Sequence, residues 1–311
     1  MIIEQTVSPP SFRLGKAYAI DFSSDGSLLA SLADNVELWG IKERNRLNTF
    51  DVPSNPSSLM FSPDGSQLVV VNTAGTVVVL DIRSGKSVCE FNTSKKGKQG
   101  SNIVFSDDGS EIIYGSWDGD LFVYNRATCA CIYKTNFDNA MITCITYSSV
   151  TKTFFFAIQN KWSKDNPKLS HSIVYNRLPF SDAGFQKIDE HKGTIKELRI
   201  SNDGKKLAIL GNRKKNDQLI VQDITTNKAI ASRDIKPSGT PNKFCWSPDD
   251  SVIAFTGDHQ VTVFDSLKLK PIGFIPLQYA CDVLFSPDGS FLAIGSWEKG
   301  LVLNTDQIDF L

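Results

Sequence analysis

The chain has 311 residues, of which 41% are hydrophobic and 22% charged, with a net charge of −1 at pH 7. That apolar content suffices to fill sheet-on-sheet interfaces, and the near-neutral balance argues against a dedicated nucleic-acid binder. No stretch approaches the roughly 18 apolar residues of a membrane helix, and residues 1–16 lack a continuous apolar run, so a soluble, intracellular protein without a leader is expected, cytoplasmic and compatible with the nucleus.

In chain order, Ile2 to Val7 reads as a short strand. Seven turns of one kind follow, beginning at Phe22 (FSSDG), Phe61 (FSPDG), Phe105 (FSDDG), Tyr147 (YSSVT), Ile200 (ISNDG), Trp246 (WSPDD) and Phe285 (FSPDG). Each turn is preceded by a short apolar strand and followed by a second strand, a small turn, and a third strand that ends in an acidic or amide residue. The third strands close at Asp81, Asn125, Asp223 and Asp265. Apolar positions alternate instead of recurring at helical spacing, and β-branched and aromatic residues are bounded by Gly, Asn or Asp. A repeat of 39 to 53 residues with several strands per unit predicts propeller blades and almost no helix.

The FSPDG turn, the small-residue strand Ala293-Ile294-Gly295-Ser296 and third strands ending Val-Phe-Asp or Leu-Trp-Gly resemble the WD-repeat β-propeller family over essentially the whole chain. The resemblance implies an all-β fold: one domain, residues 1–311, forming a single seven-bladed propeller of four-stranded antiparallel blades. Ile2 to Val7 is expected to close the ring as the outer strand of the last blade, with Ile308 to Leu311 as the alternative. The chain departs from the family in three places. Trp39 is followed by Gly40, Trp117-Asp118 lies in a turn, and the family's Gly-His pair survives only as Glu190-His191.

Six cysteines are scattered through predicted strands and read as buried small hydrophobes in a reducing compartment; Cys129 and Cys131, two residues apart, could alternatively form a ligand or redox pair. Catalytic signatures are missing, and His171, His191 and His259 fall in three separate predicted loops with no zinc spacing. No catalytic residue, metal, cofactor or small-molecule substrate is predicted. An alternative is a lactonase-type propeller hydrolase holding a metal at the channel mouth, with Asp34, Asp118, Asp138 and Asp258 as candidate rim carboxylates; all four are also ordinary turn formers.

Irregular loops carry the functional expectation. In the resembled family, the turn between second and third strands and the connection between blades share one rim. On that rim fall Lys95, Lys96 and Lys98 between units 2 and 3; Lys161, Trp162, Lys164 and Lys168 in unit 4; and Arg213, Lys214 and Lys215 in unit 5. Such a basic crescent attracts an acidic or phosphorylated protein segment, with Trp162 as its aromatic anchor. Anionic lipid headgroups or nucleic-acid backbone are further candidate ligands, nucleic acid being disfavoured because one tryptophan is thin support for base stacking. The predicted role is a non-enzymatic protein-interaction scaffold. A second irregular segment, Leu178 to Phe185, places Phe180 and Phe185 where they can pack beneath the loop.

Overall fold

The computed structural model describes residues 9–92, 102–160, 170–177, 180, 184–213, 216–236, 239 and 242–309. Two compact units emerge, the first formed by residues 1–52 and 238–311 and the second by residues 53–237.

In chain order the strands are β1 (Phe12–Arg13), β2 (Ala19–Phe22), β3 (Leu28–Leu32), β4 (Val36–Gly40) and β5 (Asn45–Phe50), followed in the second unit by β6 (Pro56–Phe61), β7 (Gln67–Asn72), β8 (Thr76–Asp81) and β9 (Ser87–Asn92). There follow β10 (Asn102–Phe105), β11 (Glu111–Gly115), β12 (Asp120–Asn125), β13 (Cys131–Asn136), β14 (Ala140–Ser148), β15 (Thr153–Asn160), β16 (Ser170–Arg177) and β17 (Gln186–Lys192). The second unit ends with β18 (Thr194–Ile200), β19 (Lys206–Arg213), β20 (Asn216–Asp223) and β21 (Ala229–Ile235). The first unit resumes with β22 (Phe244–Trp246), β23 (Val252–Thr256), β24 (Gln260–Asp265), β25 (Pro271–Pro276), β26 (Ala280–Phe285), β27 (Phe291–Ser296) and β28 (Leu301–Asn304). A 3-10 turn at Thr305–Gln307 follows.

Consecutive strands pair antiparallel into four-stranded blades, β2–β5, β6–β9 and so on, as the alternation predicts. The finer expectation, a single ring of seven blades sealed by Ile2 to Val7, is corrected. Among the described residues the sheets divide between the two units, three in the first and four in the second. The apolar clusters divide in the same way: Val261, Ile275, Leu292 and Leu303 pack within the first unit, and Val79, Ile112 and Tyr114 within the second. The strand that completes the last blade is β1, with Phe12 opposite Val302 and Arg13 opposite Leu301. Pro9 and Pro10 bring no N–H to a ladder, and the residue after them does: Ser11 N donates to Val302 O at 2.8 Å. Ile2 to Val7 lies outside the described residues. Of the alternative outer strand, residues 310 and 311 lie outside the described residues, and Ile308 is buried in the core behind the 3-10 turn.

The recurring turn has a physical explanation. Its serine is buried, and the hydroxyl accepts the N–H five residues on: Leu28 N to Ser23 Oγ at 2.9 Å, Gln67 N to Ser62 Oγ at 3.0 Å, Phe291 N to Ser286 Oγ at 2.9 Å. The same hydroxyl donates to the turn aspartate, as Ser62 does to Asp64 Oδ1 at 2.6 Å, and the carboxylate in turn accepts Ser66 N. Gly65 closes the loop at φ +68°, a conformation that costs a side chain little only when there is none. The acidic or amide residue ending each third strand caps the following turn likewise: Asp81 accepts Ser84 N at 2.7 Å and Asn125 accepts Thr128 N at 2.9 Å. Each signature residue thus satisfies backbone donors that a tight turn leaves unpaired.

Inner strands lie between neighbouring sheets and are apolar on both faces: Leu68, Val69, Val70 and Val71 of β7 are all essentially inaccessible. Outer strands alternate or expose their side chains, as in β9 and β13. Phe180 is buried against Phe154, Phe156 and Tyr133, and Phe185 meets Phe137 edge-on at 5.1 Å, so both rings pack into the core beneath their segment.

Candidate partner-binding surface

The predicted basic crescent falls largely beyond the described residues. Lys95, Lys96, Lys98, Lys161, Trp162, Lys164, Lys168, Lys214 and Lys215 all lie outside them. Arg213 is the last residue of β19 and pairs with Asn216, so the irregular turn predicted from Asn212 to Asp217 is a hairpin whose strands run to within two residues of each other. Its base is well held: the Asp217 carboxylate, 1% exposed, pairs with Lys196 Nζ at 2.7 Å and accepts Asn212 Nδ2 at 3.4 Å.

A second surface, which sequence reading passed over, is fully described. The motif Gly-Ser-Trp followed by an acidic residue occurs twice, at Gly115 to Asp118 and at Gly295 to Glu298, in each case between the second and third strands of a blade. In both, the serine is inaccessible and its hydroxyl accepts the acidic residue's N–H, from Asp118 at 3.2 Å and from Glu298 at 3.1 Å. The tryptophan that follows is held at the surface, Trp117 at 39% and Trp297 at 41% exposure. A large ring left that far in water is what a partner surface offers.

In the first unit two further exposed aromatics sit on backbone segments bonded to the Trp297 turn. The Trp297 backbone N–H donates to Tyr279 O at 3.2 Å, and Ser296 O accepts Ala17 N at 2.9 Å, which brings the turn beside Tyr18. Tyr18 is 36% exposed and Tyr279 41%. Tyr279 stands at φ 53°, one residue before an inner strand; Asn55 and Asn139 occupy the corresponding places at φ 57° and 54°. Asparagine tolerates the left-handed region, whereas for a bulky aromatic residue it is an outlier that the fold must hold in place. Gln278, the neighbour of Tyr279, bonds His259 Nδ1 at 2.8 Å, while its carbonyl accepts Ser296 Oγ at 2.8 Å. The connection is thus clamped from both sides.

Asp258 accepts Gly239 N at 2.9 Å from the connection before β22, Asp118 O accepts Asn136 Nδ2 from the end of β13, and Asp34 and Asp138 are exposed turn residues. Among the described residues, no three His, Cys, Asp or Glu side chains assemble as a metal-binding group. His171 and His191 are not in loops, as expected, but are cross-strand partners in β16 and β17; both residue types read as loop formers because flanking Lys, Asn and Ser masked the strand pattern. No described helix is long and apolar enough to cross a membrane.

The cysteines divide. Cys144, Cys245 and Cys281 are buried, as small hydrophobes, and burial followed by the charge of Asp282 pushes the Cys281 thiol up to about 12. The other three depart from expectation. Cys89 of β9 and Cys129 form a disulfide with Cα atoms 6.4 Å apart, joining two neighbouring blades of the second unit, and Cys131 is a free, exposed thiol. Sequence spacing could not show this, because Cys89 and Cys129 lie 40 residues apart and meet only where blades adjoin.

No family model matches the chain. It is 29% identical over 169 residues to eukaryotic translation initiation factor 3 subunit I of Neurospora crassa, covering 48% of this chain and 47% of that protein. To the subunit of the same name from Aspergillus fumigatus it is 38% identical over 131 residues, covering 37% and 38%. The chain thus spans less than half the length of these curated relatives. In fold it is similar to a solved chain of Kuenenia stuttgartiensis hydrazine synthase, with a TM-score of 0.78, 16% identity, and coverage of 99% of this chain and 100% of that one. At that identity the likeness concerns fold alone.

Proposed function

We propose, from the premise that this chain is a WD-repeat β-propeller, that it is a non-enzymatic scaffold subunit that holds a partner protein on its turn-bearing rim. The carrying observation is Tyr279: an exposed aromatic held in a left-handed conformation, hydrogen-bonded through its backbone to the turn of half-exposed Trp297. A fold retains such strain where it serves recognition. The similar proteins are named as a subunit of an initiation factor, which agrees with a role inside a protein assembly. Two contact regions serve the scaffold in this reading. The aromatic turns supply apolar anchors, and the basic loops containing Lys95, Lys161, Trp162 and Arg213 steer an acidic or phosphorylated segment of the partner.

The test is gradient sedimentation of the tagged full chain from native extract, with its co-migrating proteins identified. The wild-type chain is expected in a complex much larger than itself. Trp297→Ala with Tyr279→Ala, and separately Lys95→Glu with Lys161→Glu and Arg213→Glu, should release it while leaving its circular dichroism unchanged. Migration of the wild type as a free monomer would overturn the scaffold reading. Retention of both variants in the complex would move the contact to another face.

A further inference from the structure

Three cysteines lie at one corner of the second unit. Strand β9 points Cys89 and Phe91 toward the adjoining blade: Cys89 is bonded to Cys129, and Phe91 stacks on Tyr124 with ring centroids 3.8 Å apart. Tyr124 is the cross-strand partner of Cys131. The free thiol therefore begins the strand directly after the bridged cysteine, opposite the ring on which the other bridge strand packs. Burial, and next the Cys131 sulfur, push the Tyr124 phenol above its ordinary range, in keeping with that proximity.

The juxtaposition follows from the turn. Cys129 occupies the left-handed position of the turn between third and fourth strands, at φ 56°; Asn227 holds the same position two blades on, at φ 58°. Asn227 also reaches back to the outer strand of the preceding blade, where its Nδ2 donates to Ile188 O. This slot thus brings its side chain to the neighbouring outer strand whether the link is a hydrogen bond or a disulfide. Two residues on, the counterpart of Cys131 is Ala229, paired with Gln222 as Cys131 is with Tyr124. The turn requires no sulfur at that place.

We propose that Cys89, Cys129 and Cys131 form a thiol–disulfide exchange site that links the two blades through either of two alternative bonds. The Cys131 thiol loses its proton to water, and its thiolate attacks Sγ of Cys89. The new Cys131–Cys89 bond forms as the Cys89–Cys129 bond breaks, and Cys129 leaves as a thiolate that takes up a proton. One disulfide and one thiol are present before and after, so the exchange consumes no oxidant or reductant. Attack on Sγ of Cys89 keeps the blades joined, whereas attack on Cys129 would close a small ring across Ala130 and release the neighbouring blade. Cys131 is exposed, with its Sγ donating to Tyr133 O at 3.4 Å, and both bridge residues are only partly buried, so solvent reaches the site and the thiol must turn from that carbonyl before it attacks.

The test uses the full chain purified without reductant, treated slowly with iodoacetamide at mildly alkaline pH in its folded state, and mapped by tandem mass spectrometry. Two species are expected: alkylated Cys131 with the Cys89–Cys129 bond, and alkylated Cys129 with the Cys89–Cys131 bond. In Cys131→Ser the second species should vanish. Cys129→Ser should carry a Cys89–Cys131 bond and keep the wild-type melting temperature within a few degrees. Alkylation confined to Cys131 in the wild type would overturn the proposal, as would a folded Cys129→Ser chain with Cys89 and Cys131 both free, or a wild-type chain isolated with Cys89 reduced.

Discussion

The turn at Gly115 in the second unit and the turn at Gly295 in the first begin with the same three residues and present the same half-exposed tryptophan, but they are supported differently. Behind Trp117 the connection to the next blade carries Asn139, which suits its left-handed φ. Beside Trp297 it is the connection into the same blade that is strained: it carries Tyr279, which suits that φ poorly. The serine differs as well: Ser116 accepts two N–H groups of its own turn, from Asp118 and Asp120, whereas Ser296 accepts one and donates to Gln278 O in the adjoining connection. At Trp117 the serine hydroxyl accepts only from its own turn. The other turn is fastened to its neighbour and spends backbone strain to add an aromatic ring, which is why the first unit carries the proposed contact.

The largest difference should come from the glycines. A Cβ at Gly295 would meet the Ala17 carbonyl oxygen at 2.7 Å, and backbone cannot move aside, whereas one at Gly115 would meet the Ile142 side chain at 2.6 Å. Gly295→Ala is expected to cost about 3 kcal/mol and Gly115→Ala about 1 kcal/mol in urea unfolding. Equal losses would mean that the two turns are not supported differently.

Next in size is the strained position. Tyr279→Asn should stabilise the chain by about 1 kcal/mol while weakening retention in the sedimenting complex, and Asn139→Tyr should destabilise it by a similar amount. A Tyr279→Asn chain that is both less stable and fully retained would remove Tyr279 from the contact.

The smallest effect distinguishes the aspartates of the recurring turns. Asp64 is held well below the usual carboxylate range, first by the bidentate Arg126 guanidinium at 2.7 and 3.0 Å, whereas Asp288 is lowered by its serine and backbone bonds alone. A carboxyl whose folded pKa is depressed contributes stability that is present above the unfolded value near 4 and is lost as pH falls below it. Asp64→Asn should therefore destabilise at pH 7, by at most about 1 kcal/mol because the carboxylate is half exposed. The difference from wild type should shrink toward pH 3. Asp288→Asn should follow the same course with a smaller amplitude, and thermal melts across that range read both.

Sequence alone carried the blades. Each FSPDG-type turn is a local device whose serine, aspartate and glycine satisfy one another within six residues, so its presence can be read without knowing the rest of the chain. The apolar runs of β7 and β8 likewise announce burial on both faces. Reading failed where a meaning depended on distant neighbours. The described closing pairing is at Phe12–Arg13, just after two prolines, and it becomes visible only once β28 offers its edge. The Gly-Ser-Trp repeat is plain in the sequence, but nothing in it shows that both rings stay exposed or that backbone bonds bring the segments of Tyr18 and Tyr279 to one of the two turns. Cys89 and Cys129 are silent at a separation of 40 residues and bonded in space. Turn chemistry is decided by bonds within a few residues, which the sequence by itself determines; contacts between blades depend on which outer strand meets which turn, and that only the tertiary structure decided.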